Sequence, residues 1–436
     1  MKHLSLFCSL VALSLAACAT EEPEEYGIAE SELDLFRGEM PFPNHHGIAS
    51  SYSNLGPIDE SNPFFVAMGT NGRSCVPCHD PRAGWTISTD VAKLLFAQSD
   101  GLDPLFRIHD VGTRPDAPLA TRNQRKKAYA PMTEHGLVRF ATTVPATAEF
   151  EVIAVDDPYG YGTPEAFTRF RRPTTTSSES QVGSLTWTGG PQPDIFGNLA
   201  TLFQNATSFH GQGTIVIPDD VREEAADFMF NVYNAQEIDW LAGRLDDDGA
   251  RGGPVHLAQQ EFWPGINSGA AFNRKVFDIF DAWESSWNPF RRRIARGQAV
   301  FNFKEFRGAN GNMITCSTCH NAPNVGSSST FRMMNVGTVE VTNKTRKYLP
   351  VLTIRNKTTN EVRRVTDLGR AVVTGLWADI GGFKAPQLRG LASRAPYFHD
   401  GRAETIADIV RHYEDHFGIR FKGTERQDLI AFLSAL

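Results

Sequence analysis

The sequence predicts a mainly α-helical fold of two modules with an irregular, partly β insertion in its first half. Three observations carry this. A Cys-x-x-Cys-His box occurs once in each half, as Cys75, Cys78, His79 and as Cys316, Cys319, His320. Apolar residues recur at helical spacing around and after the second box. Glu149 to Val155 instead alternates like a strand before the turn residues Asp156, Asp157 and Pro158.

In chain order, Lys2 followed by the apolar stretch Leu4 to Leu15 reads as an export signal over 1–17. Leu15-Ala16-Ala17-Cys18 is similar to a bacterial lipobox, which would leave Cys18 lipidated; an ordinary signal-peptidase cut and a retained anchor are the rivals. Residues 18–40 then form a lipid-anchored, flexible tether. The N-terminal module spans 41–285, with a helix over Asp90 to Gln98 and exposed loops over Thr174 to Ser184 and Asp246 to Pro254. The C-terminal module spans 286–436 and opens with helical character over Arg291 to Phe301. It continues with Ile406, Ile409, Val410, Tyr413 and Phe417, capped by Thr405 with Asp408, so Tyr413 faces inward. It closes with the stripe Leu429, Ile430, Leu433 and Leu436, for which Thr424 and Gln427 fit a capping box.

Two thiols three positions apart can each form a thioether to a vinyl group of one haem, and the adjacent imidazole then reaches the iron. Both modules therefore read as cytochrome c-type haem domains carrying two covalently bound haem c groups. A zinc knuckle or a redox dithiol is the alternative, but neither requires a histidine directly after each second cysteine. The other two cysteines, Cys8 and Cys18, lie in the leader, leaving none for a structural disulfide. A formal charge of −7 gives no sign of a nucleic-acid partner. No segment after the leader is long and apolar enough to span a bilayer, so contact with the membrane is expected through the lipid alone, on the periplasmic or cell-surface side.

The run Gly382-Phe383-Lys384-Ala385-Pro386-Gln387-Leu388-Arg389-Gly390, followed by Ala395-Pro396-Tyr397-Phe398-His399-Asp400-Gly401, resembles the bacterial dihaem cytochrome c peroxidase superfamily, which includes MauG. The likeness covers the last 140 residues or so. Elsewhere it rests on the first box, on Asn71-Gly72-Arg73, and on Trp187-Thr188-Gly189-Gly190 where the family has Trp-Asp-Gly-Arg. The resemblance implies two unequal haems: a peroxide site on His79 and an electron-transfer haem on His320. Tyr413 stands where ordinary peroxidases carry a methionine ligand and MauG-like members a tyrosine, though its spacing alone also fits a core aromatic. His412 and His416 on that helix read as solvated, and Met333 and Met334 as packing.

The resemblance further implies that Trp187 lies between the haems, and that calcium is held by backbone carbonyls at the positions of Arg394 and Pro396. The family's distal glutamate has no counterpart in Leu199 to Gly213, where His210 is the strongest acid-base candidate; His109 and His135 are weaker ones. Arg171 and Arg172 are candidates for neutralising haem propionates. The implied function is a hydrogen-peroxide-dependent oxidoreductase whose reductant is a small electron-transfer protein or a protein side chain. The alternative is a non-catalytic dihaem electron-transfer cytochrome.

Overall fold

The computed structural model describes residues 39–189, 194–260 and 273–436. The leader with Cys8 and Cys18, and Gly190 of the tryptophan motif, lie outside the described residues. Among the described residues helices account for 33% and strands for 16%, so the expected mainly helical protein is a mixed one. The strands explain the difference. Met40–Asn44, Gly47–Ser53, Val232–Asp239 and Gly243–Arg244 form an antiparallel four-stranded sheet in that order. Met40–Asn44 contains two prolines, which only an edge strand tolerates. Val232–Asp239 is buried along most of its length while carrying Asn234, Gln236 and Glu237, so it lacks the apolar alternation that marks a strand in sequence.

The strand expected at Glu149 to Val155 is Phe150–Asp156. It pairs with Val351–Asn356, which in turn pairs with Val362–Val365, so this sheet joins the first-half insertion to the second half. The helix expected at Asp90 to Gln98 is Thr89–Ser99, capped by the Ser88 hydroxyl.

In the second module, Pro289–Phe303 and Glu425–Ser434 cross at Gly297, where a Cβ would stand 1.9 Å from the Asp428 carbonyl oxygen. Only glycine permits that approach. Phe277, Phe280, Trp283, Phe301, Leu429 and Phe432 fill the core beside them, so this core also draws on residues before position 286. The helix Ile406–Phe417 carries the expected reciprocal cap between Thr405 and Asp408. The cap expected from Thr424 and Gln427 does not form; the Thr424 hydroxyl donates instead to Asp428, at 2.8 Å.

Thr174 to Ser184 is not the exposed loop expected from its composition. Thr175, Ser177, Ser178, Glu179 and Gln181 are buried, and the segment passes through the interior. Its polar groups are used there: Thr175 Oγ1 donates to Gly84 O (2.8 Å), Ser178 N to Val232 O (2.6 Å), and Gln181 Nε2 to Leu257 O (2.8 Å). Other polar atoms of the segment, Ser178 Oγ, Glu179 Oε2 and Gln181 Oε1, are buried without a hydrogen-bond partner.

Candidate haem-binding sites

The first box is one helical turn. Cys78 N and His79 N both bond back to Cys75 O, placing Cys75 and His79 on one face with Cys78 beside them. Cys75 packs against the cluster of Phe64, Phe203 and Phe228, and Cys78 against that of Phe96, Leu105 and Phe106. His79 Nδ1 lies 3.1 Å from Trp85 O; a carbonyl only accepts, so Nδ1 carries the proton and Nε2 keeps its lone pair. The carbonyl is aimed by a sharp turn in which Trp85, fully buried, has φ 61°, an unusual conformation for so large a side chain.

The second box follows the hairpin Phe306–Arg307 and Met313–Ile314. Thr315 caps the turn Cys316–Cys319, and its own N–H donates to the Thr318 hydroxyl. His320 Nδ1 donates to Gly326 O at 2.5 Å, again leaving Nε2 free. In each box a main-chain carbonyl thus fixes the imidazole through Nδ1.

Burial pushes the Cys75 and Cys316 thiols up to about 12 and Cys78 up to about 11, and it lowers His79 to about 4. Neutral thiols in apolar surroundings suit thioether formation and oppose a zinc knuckle, which needs thiolates. Among the described residues no three His, Cys, Asp or Glu side chains converge as an ion site.

Cys316, Cys319 and His320 line a deep cavity whose walls include Phe301, Phe306, Leu433 and Tyr413. Tyr413 is the only phenol among the lining residues besides Tyr397, and it stacks on Phe417 from the helix Ile406–Phe417. Burial raises its pKa above the ordinary value, and the neighbouring Cys319 and Cys316 act in the same direction. The lining also includes polar residues, Thr86, Thr175, Arg172, Lys384, Gln387 and Arg394. Of these, Arg172 Nη1 and Arg394 Nε are buried without a hydrogen-bond partner. A largely apolar cavity lined by two cysteines, an imidazole and two guanidinium groups, each with one buried N–H left without a partner, fits a haem c with its carboxylates. Arg171 is not part of this lining: it makes a bidentate pair with Asp367, at 2.8 and 2.7 Å. Burial alone would raise Asp367, but the Arg171 charge outweighs it and holds the carboxyl below its usual range.

Trp187 is on the wall of the same cavity. Its indole donates to Arg172 O at 2.7 Å, and its ring stands edge-on to His399 at 6.2 Å. Thr86, next to the carbonyl that holds His79, is on that wall too, so the two boxes meet through the segment Trp85-Thr86. Met334 also lines the cavity, whereas His412 is occupied by a bond from Nε2 to Val336 O.

His210 lies at the C-terminal end of the helix Ile195–Phe209, close enough to His79 to influence it electrostatically. Its Nδ1 donates to Asp110 Oδ2 at 2.7 Å, leaving Nε2 as an acceptor. Asp110 is fully buried and also takes Arg73 Nη1 at 2.6 Å. Burial would raise Asp110, but the His210 bond and the Arg73 charge together hold it below the ordinary value. Asp110 and Arg73 act on the Cys78 thiol, so this ion cluster borders the first box. Asn71 and Arg73 both donate to His210 O, at 2.8 and 3.3 Å. His109 is in the cluster, 3.5 Å from Asp110, but His135 is not: it stacks on Tyr348. Asp110 carried no signal in the sequence, and Arg73 appeared only as part of a motif. Their roles depend on a contact between segments 37 and 100 positions apart.

At the positions expected to hold calcium, Arg394 O accepts from the Arg172 guanidinium, at 2.9 Å, and Pro396 lines the same cavity as Tyr413.

No protein-family model matches the chain. It is 28% identical over 217 residues to the cytochrome-c peroxidase IdrP2 of Pseudomonas sp. strain SCT, a match covering 45% of this chain and 56% of that protein. It is 30% identical over 159 residues to the cytochrome c551 peroxidase of Nitrosomonas europaea, covering 36% of this chain and 38% of that one. The chain thus spans about half the length, or less, of these curated relatives. A MauG-like protein associated with microbial copper homeostasis aligns in structure over 91% of this chain and 92% of its own, with 14% identity and a TM-score of 0.43.

Proposed function

We propose that the chain, which is similar in part to curated cytochrome c peroxidases, is an exported, hydrogen-peroxide-dependent dihaem c-type oxidoreductase of the peroxidase and MauG superfamily. The observation that carries this reading is the contrast between the two boxes. An Asp110-held imidazole borders the first, and a phenol shares the cavity of the second. Haem c, when bound, supplies a redox-active iron for reduction of peroxide and for passing oxidising equivalents to a reductant.

The chain's own residues have distinct tasks. His79 and His320 would hold the haem irons, and Tyr413 would be a further ligand at the His320 site. A phenolate there favours the higher oxidation states, in contrast to methionine. His210 Nε2 would hold and return a proton while hydrogen peroxide, taking two electrons from the reductant and two protons from solvent, becomes two molecules of water. Asp110 fixes the tautomer that makes this possible, and Arg73 keeps Asp110 ionised. Trp187 links the two sites. The reductant is a small electron-transfer protein or a side chain of a partner protein, and Cys18 tethers the protein to a membrane by lipid on the periplasmic or cell-surface side.

Peroxide titration of the purified holoprotein, followed by absorption and electron paramagnetic resonance, tests the proposal. The expected result is one high-spin ferric haem that reacts with peroxide and one low-spin haem. Two low-spin haems inert to peroxide would instead identify an electron-transfer cytochrome.

A further inference from the structure

The carbonyl that family resemblance assigns to calcium is filled by part of the chain itself. Arg172 is buried and joins segments that are remote in sequence. Its Nη2 donates to Ile87 O at 2.6 Å and to Arg394 O at 2.9 Å, one carbonyl from each module. Its main-chain N–H donates to His399 O at 2.7 Å, and its carbonyl accepts the Trp187 indole. Space for the guanidinium depends on Gly136, which adopts φ 63° and whose Cβ, if it had one, would stand 2.5 Å from Arg172 Nη1. The side chain is therefore built into the junction.

Calcium takes six to eight oxygen ligands, usually with carboxylates among them. Here two carbonyls converge on one nitrogen, and the charged groups that act on Arg172 are Tyr397 and Arg394, neither of which is an anion at neutral pH. A divalent ion at the Arg394 carbonyl would meet the Arg172 guanidinium that already occupies it. A guanidinium suits the place better because its flat array of N–H groups can bond carbonyls on one nitrogen and still offer the other to a carboxylate.

We infer that Arg172 is the fixed internal cation joining the two modules, in the place assigned to calcium, so that the folded holoprotein has no divalent-ion requirement at this junction. Arg172 is a positioning residue in this role, acting on Trp187 and on the segment Arg394 to His399. The inference does not use peroxide chemistry and would survive the failure of that reading.

The test uses the full holoprotein, first equilibrated with calcium and desalted, then treated with chelator. No stoichiometric calcium should remain by elemental analysis, and neither chelator nor millimolar calcium should move Tm or the absorption spectrum. A specific site at roughly 100 times its Kd would raise Tm by a few degrees, which is readily measured. Retention of one calcium per chain, or a chelator-induced loss of Tm, would overturn the inference. Arg172→Gln should lower Tm and red-shift the Trp187 fluorescence difference taken against Trp187→Phe, with partial recovery in Arg172→Lys. An Arg172→Gln holoprotein of unchanged Tm and fluorescence would equally overturn it. Gly136→Ala provides an independent variant, expected to lower Tm because its methyl group collides with the guanidinium.

Discussion

The two Cys-x-x-Cys-His boxes present their imidazoles in the same way and differ in what surrounds them. In both, a main-chain carbonyl orients the histidine through Nδ1. Around the second box lie rings and aliphatic side chains, with Tyr413 among them. Beside the first lies a buried ion cluster of Arg73, Asp110 and His210, and the His210 side chain remains 30% exposed. The shared motif fixes how a haem is gripped, and the unshared surroundings fix what each can do. A polar, proton-accepting border suits chemistry on a small oxidant. An enclosed aromatic one with a phenol suits holding oxidising equivalents away from water.

The largest expected effect breaks the pair altogether. Cys316→Ser combined with Cys319→Ser should leave one covalent haem per chain by pyridine haemochrome assay, and the matching change at Cys75 and Cys78 should leave the other. The two singly loaded proteins should have different ferric spectra; identical spectra would end the distinction between the boxes.

Next, His210→Ala should slow the stopped-flow reaction with peroxide by about 10²- to 10⁴-fold, the range typical for loss of a general base. Asp110→Asn should slow it less, since it loosens the tautomer without removing the imidazole. Equal rates in wild type and His210→Ala would move the acid-base role elsewhere.

Tyr413→Phe should leave haem content and the peroxide-reactive signal in place and change only the low-spin spectrum. A change in both spectra would mean that the two sites are less separate than their surroundings suggest.

The smallest effect concerns stability. Burial lowers His399 from 6.5 to about 4, so the fold favours its neutral form. Its contribution is fully present above pH 6.5 and is lost as pH falls towards 4, amounting to about 3 kcal/mol. Thermal unfolding of the holoprotein across that window should show Tm falling with pH, and His399→Gln should flatten the slope. An unaltered slope would assign it to other groups.

Local pattern was enough where the relevant physics is local. Thr405 and Asp408 cap the helix that carries Tyr413, and the spacing within each box puts thiols and imidazole on one turn, because both depend on residues within four positions. His210 was legible as an acid-base candidate from its residue type, but its partner Asp110 was not. Thr174 to Ser184 was misread because composition reports what a segment can bond to, not whether water or protein supplies the bonds.

The sequence by itself determined the two Cys-x-x-Cys-His turns, with their imidazoles, and the helix that carries Tyr413. Tertiary structure alone decided that Asp110 and Arg73 stand behind His210, that Tyr413 shares a cavity with His320, and that Arg172 bridges Ile87 and Arg394. The reason is that buried charges acquire their roles from partners, and those partners are brought together only when the chain closes over long separations.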